Sequence, residues 1–167
     1  KMRTNGMNTI DKTFIAMGAT TTTIPYSDLY MGLKTSVADG QENPWVNSSG
    51  MRFYEVQKYF TEVNYQFHPE PFYVNTRWYE SLPPEYQEIL AECTEEMMKE
   101  NNRLIDENEV QAMENIRANA EIYTLSSEER QAFVEATQVV YEEYMDNGLL
   151  TMDDLARMKR IIRGEEK

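Results

Sequence analysis

The stretch Thr20-Thr21-Thr22-Thr23-Ile24-Pro25 sets the reading of the chain. Its five β-branched residues are poor helix formers but pack well on a pleated surface, and Pro25 closes the run. Upstream, Met2 to Thr4 is a second extended run. Between the two lies an amphipathic stretch, Met7 to Met17, ending at Gly18 as a helix C-cap. Downstream, Ser27 is placed to cap a helix through about Val37, with Asp28 in its first turn. Asp39-Gly40 then marks a turn. This β-α-β-α order predicts an α/β fold, a parallel or mixed sheet covered by helices.

Beyond the turn runs Gln41-Glu42-Asn43-Pro44-Trp45. Asn43 precedes a proline and is biased toward extended backbone, so it should end a loop before a helix that carries Phe53, Val56 and Phe60. Val63 to Phe67 and Phe72 to Val74 read as short strands, separated by His68-Pro69-Glu70-Pro71. From Pro84 the pattern becomes helical. Tyr86, Leu90, Cys93 and Met97 form an apolar stripe on a helix reaching roughly Ile122. Ser126 with Glu129 has capping-box spacing and opens a helix ending near Asn147-Gly148; Thr151 with Asp154 begins a last short one. The expected division is an α/β lobe over 1–83 and a long helical segment over 84–167.

The 167 residues carry a formal net charge of -13 and a mean hydropathy of -0.67. The acidity is local: residues 1–84 are near neutral, residues 85–145 hold 16 acidic against 4 basic side chains, and residues 146–167 balance. Such a charge counts against nucleic-acid binding, which needs a basic footprint. No apolar run could span a bilayer, and no basic amphipathic run suggests docking on an anionic one. Cys93, alone, cannot form an internal disulfide; on its stripe it is expected to be a buried structural thiol. His68 reads as a loop residue, leaving no basis for a histidine metal site, and no cofactor is implied. Lys1-Met2-Arg3-Thr4 reads as the inside of a strand rather than a leader. The sequence is therefore expected to start within a larger protein, and the missing signal peptide says nothing for the cytoplasm.

Few side chains suggest chemistry. The doublets Glu95-Glu96, Glu128-Glu129 and Glu142-Glu143 do not face one another on a helix and read as solvated surface. Asp39-Gly40 lacks the spaced oxygen ligands of a calcium loop. Arg3 and Asn43 are the polar pair of interest. An arginine at a strand end can hold a carboxylate with its planar fork, and an asparagine in a strand-to-helix loop can add an amide donor. Spacing alone leaves open that both are ordinary surface residues.

Taken in order, Lys1-Met2-Arg3, Met17-Gly18-Ala19, Ile24-Pro25-Tyr26-Ser27-Asp28-Leu29-Tyr30, Val37-Ala38-Asp39-Gly40-Gln41-Glu42-Asn43-Pro44 and Tyr54-Glu55-Val56-Gln57-Lys58-Tyr59 resemble the solute-binding proteins of tripartite ATP-independent periplasmic (TRAP) transporters, the DctP-like family. Trp78 to Pro83 and the helix after it also fit, and the similarity is to the C-terminal part of a member. The resemblance implies a periplasmic-binding-protein-like lobe with a mixed sheet and long C-terminal helices, part of a two-lobed receptor. Such a receptor closes over a small organic acid and delivers it to membrane permease subunits, with no catalysis. It implies a periplasmic location, or an extracellular lipid-anchored one. Arg3 matches the family's carboxylate-pairing arginine, and Asn43 the asparagine of its Gly-Gln-Glu-Asn-Pro motif. Tyr26 and Tyr65 match pocket positions that are phenylalanine and histidine in sialic-acid-binding members, so the change at Tyr65 counts against sialic acid. The ligand of the family lies between lobes, so this stretch alone is expected to bind weakly and to be open to self-association. Two alternatives come from other classes: an acidic helical interaction module binding a basic partner, and a carboxylate hydrolase using Glu95, Glu128 and Glu142.

Overall fold

The computed structural model describes residues 1–67 and 69–165, so the expectation for His68 lies outside the described residues. The chain divides into two compact units, Lys1–Asn43 with Thr124–Lys167, and Pro44–Tyr123.

The first unit is built on three parallel strands in the order β2-β1-β3. They are β1 (Met2–Thr4), β2 (Thr21–Thr23) and β3 (Gly40–Gln41). Met2 pairs with Thr21 on one side and with Gly40 on the other. Helix α1 (Asn8–Ala16) joins β1 to β2 and packs on both. It ends in a Schellman motif: Gly18 N–H donates to Ile15 O and Ala19 N–H to Phe14 O, each at 2.9 Å, with Gly18 at φ +89°. After β2 a 3-10 turn, Tyr26–Asp28, leads into α2 (Leu29–Lys34). Ser27 falls inside that turn and does not cap; α2 starts one residue later and ends earlier than its sequence suggests. It closes on Ser36, whose left-handed φ of +59° lets Val37 N–H reach Gly32 O. A Cβ on Gly32 would lie 2.9 Å from Ile24 Cδ1, so the glycine lets α2 rest directly on the residue after β2. Asp39 forms the bend, but Gly40 already belongs to β3. Ile10, Leu29, Leu33 and Ala38 are buried here.

Two capping boxes shape the C-terminal part of this unit. Ser126 with Glu129 opens α6 (Ser127–Ala136), and Thr151 with Asp154 opens α8 (Met152–Ile162), both as the spacing predicts. One helix was expected from Ser126 to Asn147. Two are present, because Thr137 separates α6 from α7 (Gln138–Asp146), with its hydroxyl bonded back to Phe133 O at 2.9 Å. Helix α7 packs on α1, where Lys12 and Glu143 form an ion pair.

The second unit centres on α3 (Trp45–Gly50) packed against α5 (Pro84–Asn119). Helix α3 starts just after Asn43-Pro44, as expected, but Phe53, Val56 and Phe60 do not continue it. Arg52 adopts φ +54° and breaks the chain into a 3-10 turn, Phe53–Glu55, which places Phe53 fully inside. Phe60 lies in a strand, β4 (Tyr59–Glu62), its ring 6.2 Å from that of Trp45. The partner of β4 is β5 (Glu121–Thr124), which takes the place of the last helical residues expected near Ile122. Neither Val63–Phe67 nor Phe72–Val74 forms a strand; Asn64, at φ +50°, turns the backbone out of extended geometry. Asn75 caps the short α4 (Thr76–Ser81) by accepting from Trp78 N–H at 3.1 Å. Ala112 and Ile116 are the buried positions of α5. Cys93 is exposed, contrary to expectation: of the stripe Tyr86, Leu90, Cys93 and Met97 only Leu90 is half-buried, and the other three face outward.

Candidate ligand site

All three strands of the first unit run the same way, so their carboxyl ends form one edge. In open α/β sheets ligands bind outside this edge, at the point where the strand order reverses. With order β2-β1-β3, that point lies between β1 and β3. Arg3, the residue before the last of β1, lies there opposite Gln41 of β3. Side chains of such partners share a face of the sheet.

Arg3 is 3% exposed. Its Nε donates to Ile24 O at 2.8 Å, which ties the guanidinium to the end of β2 and orients its fork. Burial holds its pKa below the usual arginine value, while the charges of Glu42 and Tyr26 act in the opposite direction. The site is thus a desolvated cation with a carboxylate and a phenol for neighbours. A desolvated, pre-oriented guanidinium is suited to a planar anion, because charge-assisted bonds strengthen where water is excluded. Thr4, the next residue, is fully buried, and its hydroxyl donates to Asp11 Oδ1 at 2.6 Å, fixing β1 to α1.

Asn43 is half-buried two residues beyond β3, and its Nδ2 donates to Gln41 Oε1 at 2.5 Å. Tyr26 stands just past β2, 38% exposed. Arg3, Asn43 and Tyr26 therefore all belong to the carboxyl edge of one sheet. Tyr65 is half-buried in the coil after β4, in the other unit. Three further groups at this edge were not singled out from sequence: Ile24 O, Gln41 and Glu42. The last two sit inside the motif that carried Asn43, but only the register places Gln41 opposite Arg3, and only its charge effect on Arg3 marks Glu42 as a neighbour.

Among the described residues no three metal-ligating side chains gather, and no helix is long and apolar enough to cross a membrane. Glu95, Glu128 and Glu142 are exposed on three different helices, α5, α6 and α7.

A parallel sheet with a buried arginine at its carboxyl edge, accompanied by long helices, is a periplasmic-binding-protein-like lobe, as found in two-lobed receptors. The sequence matches the bacterial extracellular solute-binding proteins of family 7, DctP, over residues 1–147, and the chain belongs to that family. It is 30% identical to the C4-dicarboxylate-binding periplasmic protein DctP of Vibrio cholerae, covering 86% of this chain and 44% of that protein. It is equally 30% identical to the ectoine-binding periplasmic protein TeaA of Halomonas elongata, covering 87% and 44%. Among solved structures, a TRAP periplasmic solute-binding protein from Shewanella oneidensis with bound succinate superposes with a TM-score of 0.75 at 27% identity, over 87% of this chain and 48% of that one. One from Sulfitobacter with bound β-D-galacturonate gives 0.81 at 26% identity, with the same coverage. The chain spans about half the length of these relatives.

Proposed function

We propose that this chain forms a ligand-holding lobe of a TRAP transporter receptor, with Arg3 as the anchor for the carboxylate of a small organic acid. The observation that carries the reading is the buried Arg3 at the switch point of the sheet, its Nε fixed by Ile24 O. Asn43 adds an amide donor and Tyr26 a wall of the pocket. The named ligands of the relatives, succinate and galacturonate, both carry the group that an arginine fork recognises. Binding and closure need no nucleophile or general base, so the protein acts on its ligand by holding it. Closure then presents a changed surface to membrane permease subunits. The working location is the periplasm, or the outer face of the membrane through a lipid anchor.

The test is a titration with succinate and galacturonate to tens of millimolar, observing backbone amides at positions 3 and 41–43 in every protein, and the Arg3 Nε–H in the unsubstituted one, by heteronuclear NMR. Those resonances should move and saturate. Arg3→Lys keeps the charge but loses the fork, and should weaken binding about tenfold; Arg3→Ala should abolish it. Saturation unchanged in both variants, or no carboxylate response anywhere in the spectrum, would refute the anchor.

A further inference from the structure

Asparagine precedes glycine twice in this chain, at Asn5-Gly6 and at Asn147-Gly148, and all of these residues are exposed. In such a pair the glycine backbone nitrogen can attack the asparagine Cγ, because no glycine side chain obstructs the approach. An N–Cγ bond forms as the backbone N–H proton passes to solvent base. The Cγ–Nδ2 bond breaks, and the nitrogen leaves as ammonia with a proton from solvent. Water then opens the cyclic imide, leaving the carboxylate of an aspartate or of a β-linked isoaspartate.

The two pairs differ in what holds the reacting atoms. Gly148 N–H donates to Met145 O, and Asn147 Nδ2 donates to Glu143 O, each at 2.9 Å. Nucleophile and leaving group are both tied to the end of α7, and both bonds must open before the imide can close. Gly6 N–H reaches Thr4 Oγ1 only at 3.4 Å, beyond the ordinary range for such a bond. Asn5 Oδ1 accepts the Met7 N–H at 3.0 Å. That bond closes a ring through the Gly6 nitrogen and folds the Asn5 amide back along it. It also sets a backbone donor on the oxygen that gains negative charge as the nitrogen adds to Cγ.

We infer that Asn5 is a self-modifying site, attacked by the Gly6 nitrogen and activated by the Met7 N–H, while Asn147 is protected by its helix end. The reaction needs only water. Its product places a new carboxylate in the link between β1 and α1, two residues beyond Arg3.

The test is to incubate the folded protein at mildly alkaline pH and follow both sites by tryptic digestion and mass spectrometry. Cleavage after Arg3 and Lys12 isolates one site and cleavage after Arg130 and Arg157 the other; fragmentation separates Asn5 from Asn8. Asn147 should convert at least about tenfold more slowly than Asn5, the factor for a hydrogen bond that must first open. In urea the two rates should converge, and Asn5 should react no faster there than in the folded protein. Met7→Pro suits the φ of -69° at that position and removes the donor. It should slow Asn5 severalfold in the folded protein and leave its rate in urea unchanged. Equal rates at the two sites in the folded protein, or an Asn5 slowed by folding, would overturn the inference; both are read without any substitution. A folded Met7→Pro protein that converts Asn5 as fast as the unsubstituted one would overturn it as well.

Discussion

Residues 1–43 and helix α5 use the same apolar spacing and end differently. In the first, Ile10, Leu29 and Leu33 sit on one side of short helices, and all three are buried against the sheet. In the second, Tyr86, Cys93 and Met97 share a stripe just as regular, and all three are exposed. Periodicity states which side chains share a face. Whether anything covers that face is a property of the neighbours, and in α5 burial begins only at Ala112 and Ile116, where α3 and the Phe53 turn lie.

Substitutions can sharpen this contrast. The largest effects should come from the filled positions: Phe53→Ala and Leu29→Ala each empty a fully buried site and should cost about 3–5 and 2–5 kcal/mol in chemical denaturation. Thr4→Val keeps the shape but strands Asp11 without its hydroxyl donor, at a cost of about 1–3 kcal/mol. The α8 capping box should be pH-sensitive in a definite direction. Hydrogen bonds from the Thr151 hydroxyl and backbone lower the Asp154 pKa. Its stabilisation of the α8 start is therefore complete above the usual aspartate value of about 3.9 and lost as pH falls through the lowered one. The protection factors of the amides across Met152–Leu155 should fall there, and in Asp154→Asn they should not change over that range. The smallest effects belong to the uncovered stripe: Tyr86→Gln and Met97→Gln should change stability by no more than about 0.5 kcal/mol. Cys93 should react with a thiol reagent in the folded protein as fast as in denaturant. Protection of Cys93 would show that the two regions differ less than their exposures say.

What could be seen from sequence was whatever is decided within a turn or two of chain. Gly18, Ser126 with Glu129, and Thr151 with Asp154 set helix ends by local backbone bonds, and each appears where its spacing places it. The run at Thr20–Ile24 needed only β-branching to announce β2. What could not be seen depends on distant partners. Strand β4 lies at Tyr59–Glu62 rather than at Val63–Phe67 because β5 pairs with it from the far end of α5. Helix α3 stops at Gly50, and the left-handed turn after it falls on Arg52, a residue type that does not announce such backbone. At the candidate site the arginine and the asparagine were legible as residue types. Their supports, Ile24 O and Gln41, became visible only through the strand register.

Strand β1 comes first in this stretch and lies in the middle of its sheet, and that has a consequence for the order of assembly. Met2 must wait for Thr21 to complete one flank and for Gly40 to complete the other. During synthesis the segment that bears Arg3 therefore emerges before both of its sheet neighbours and stays without the second until β3 has left the ribosome. Arg3 is thus made before both of the strands that flank it.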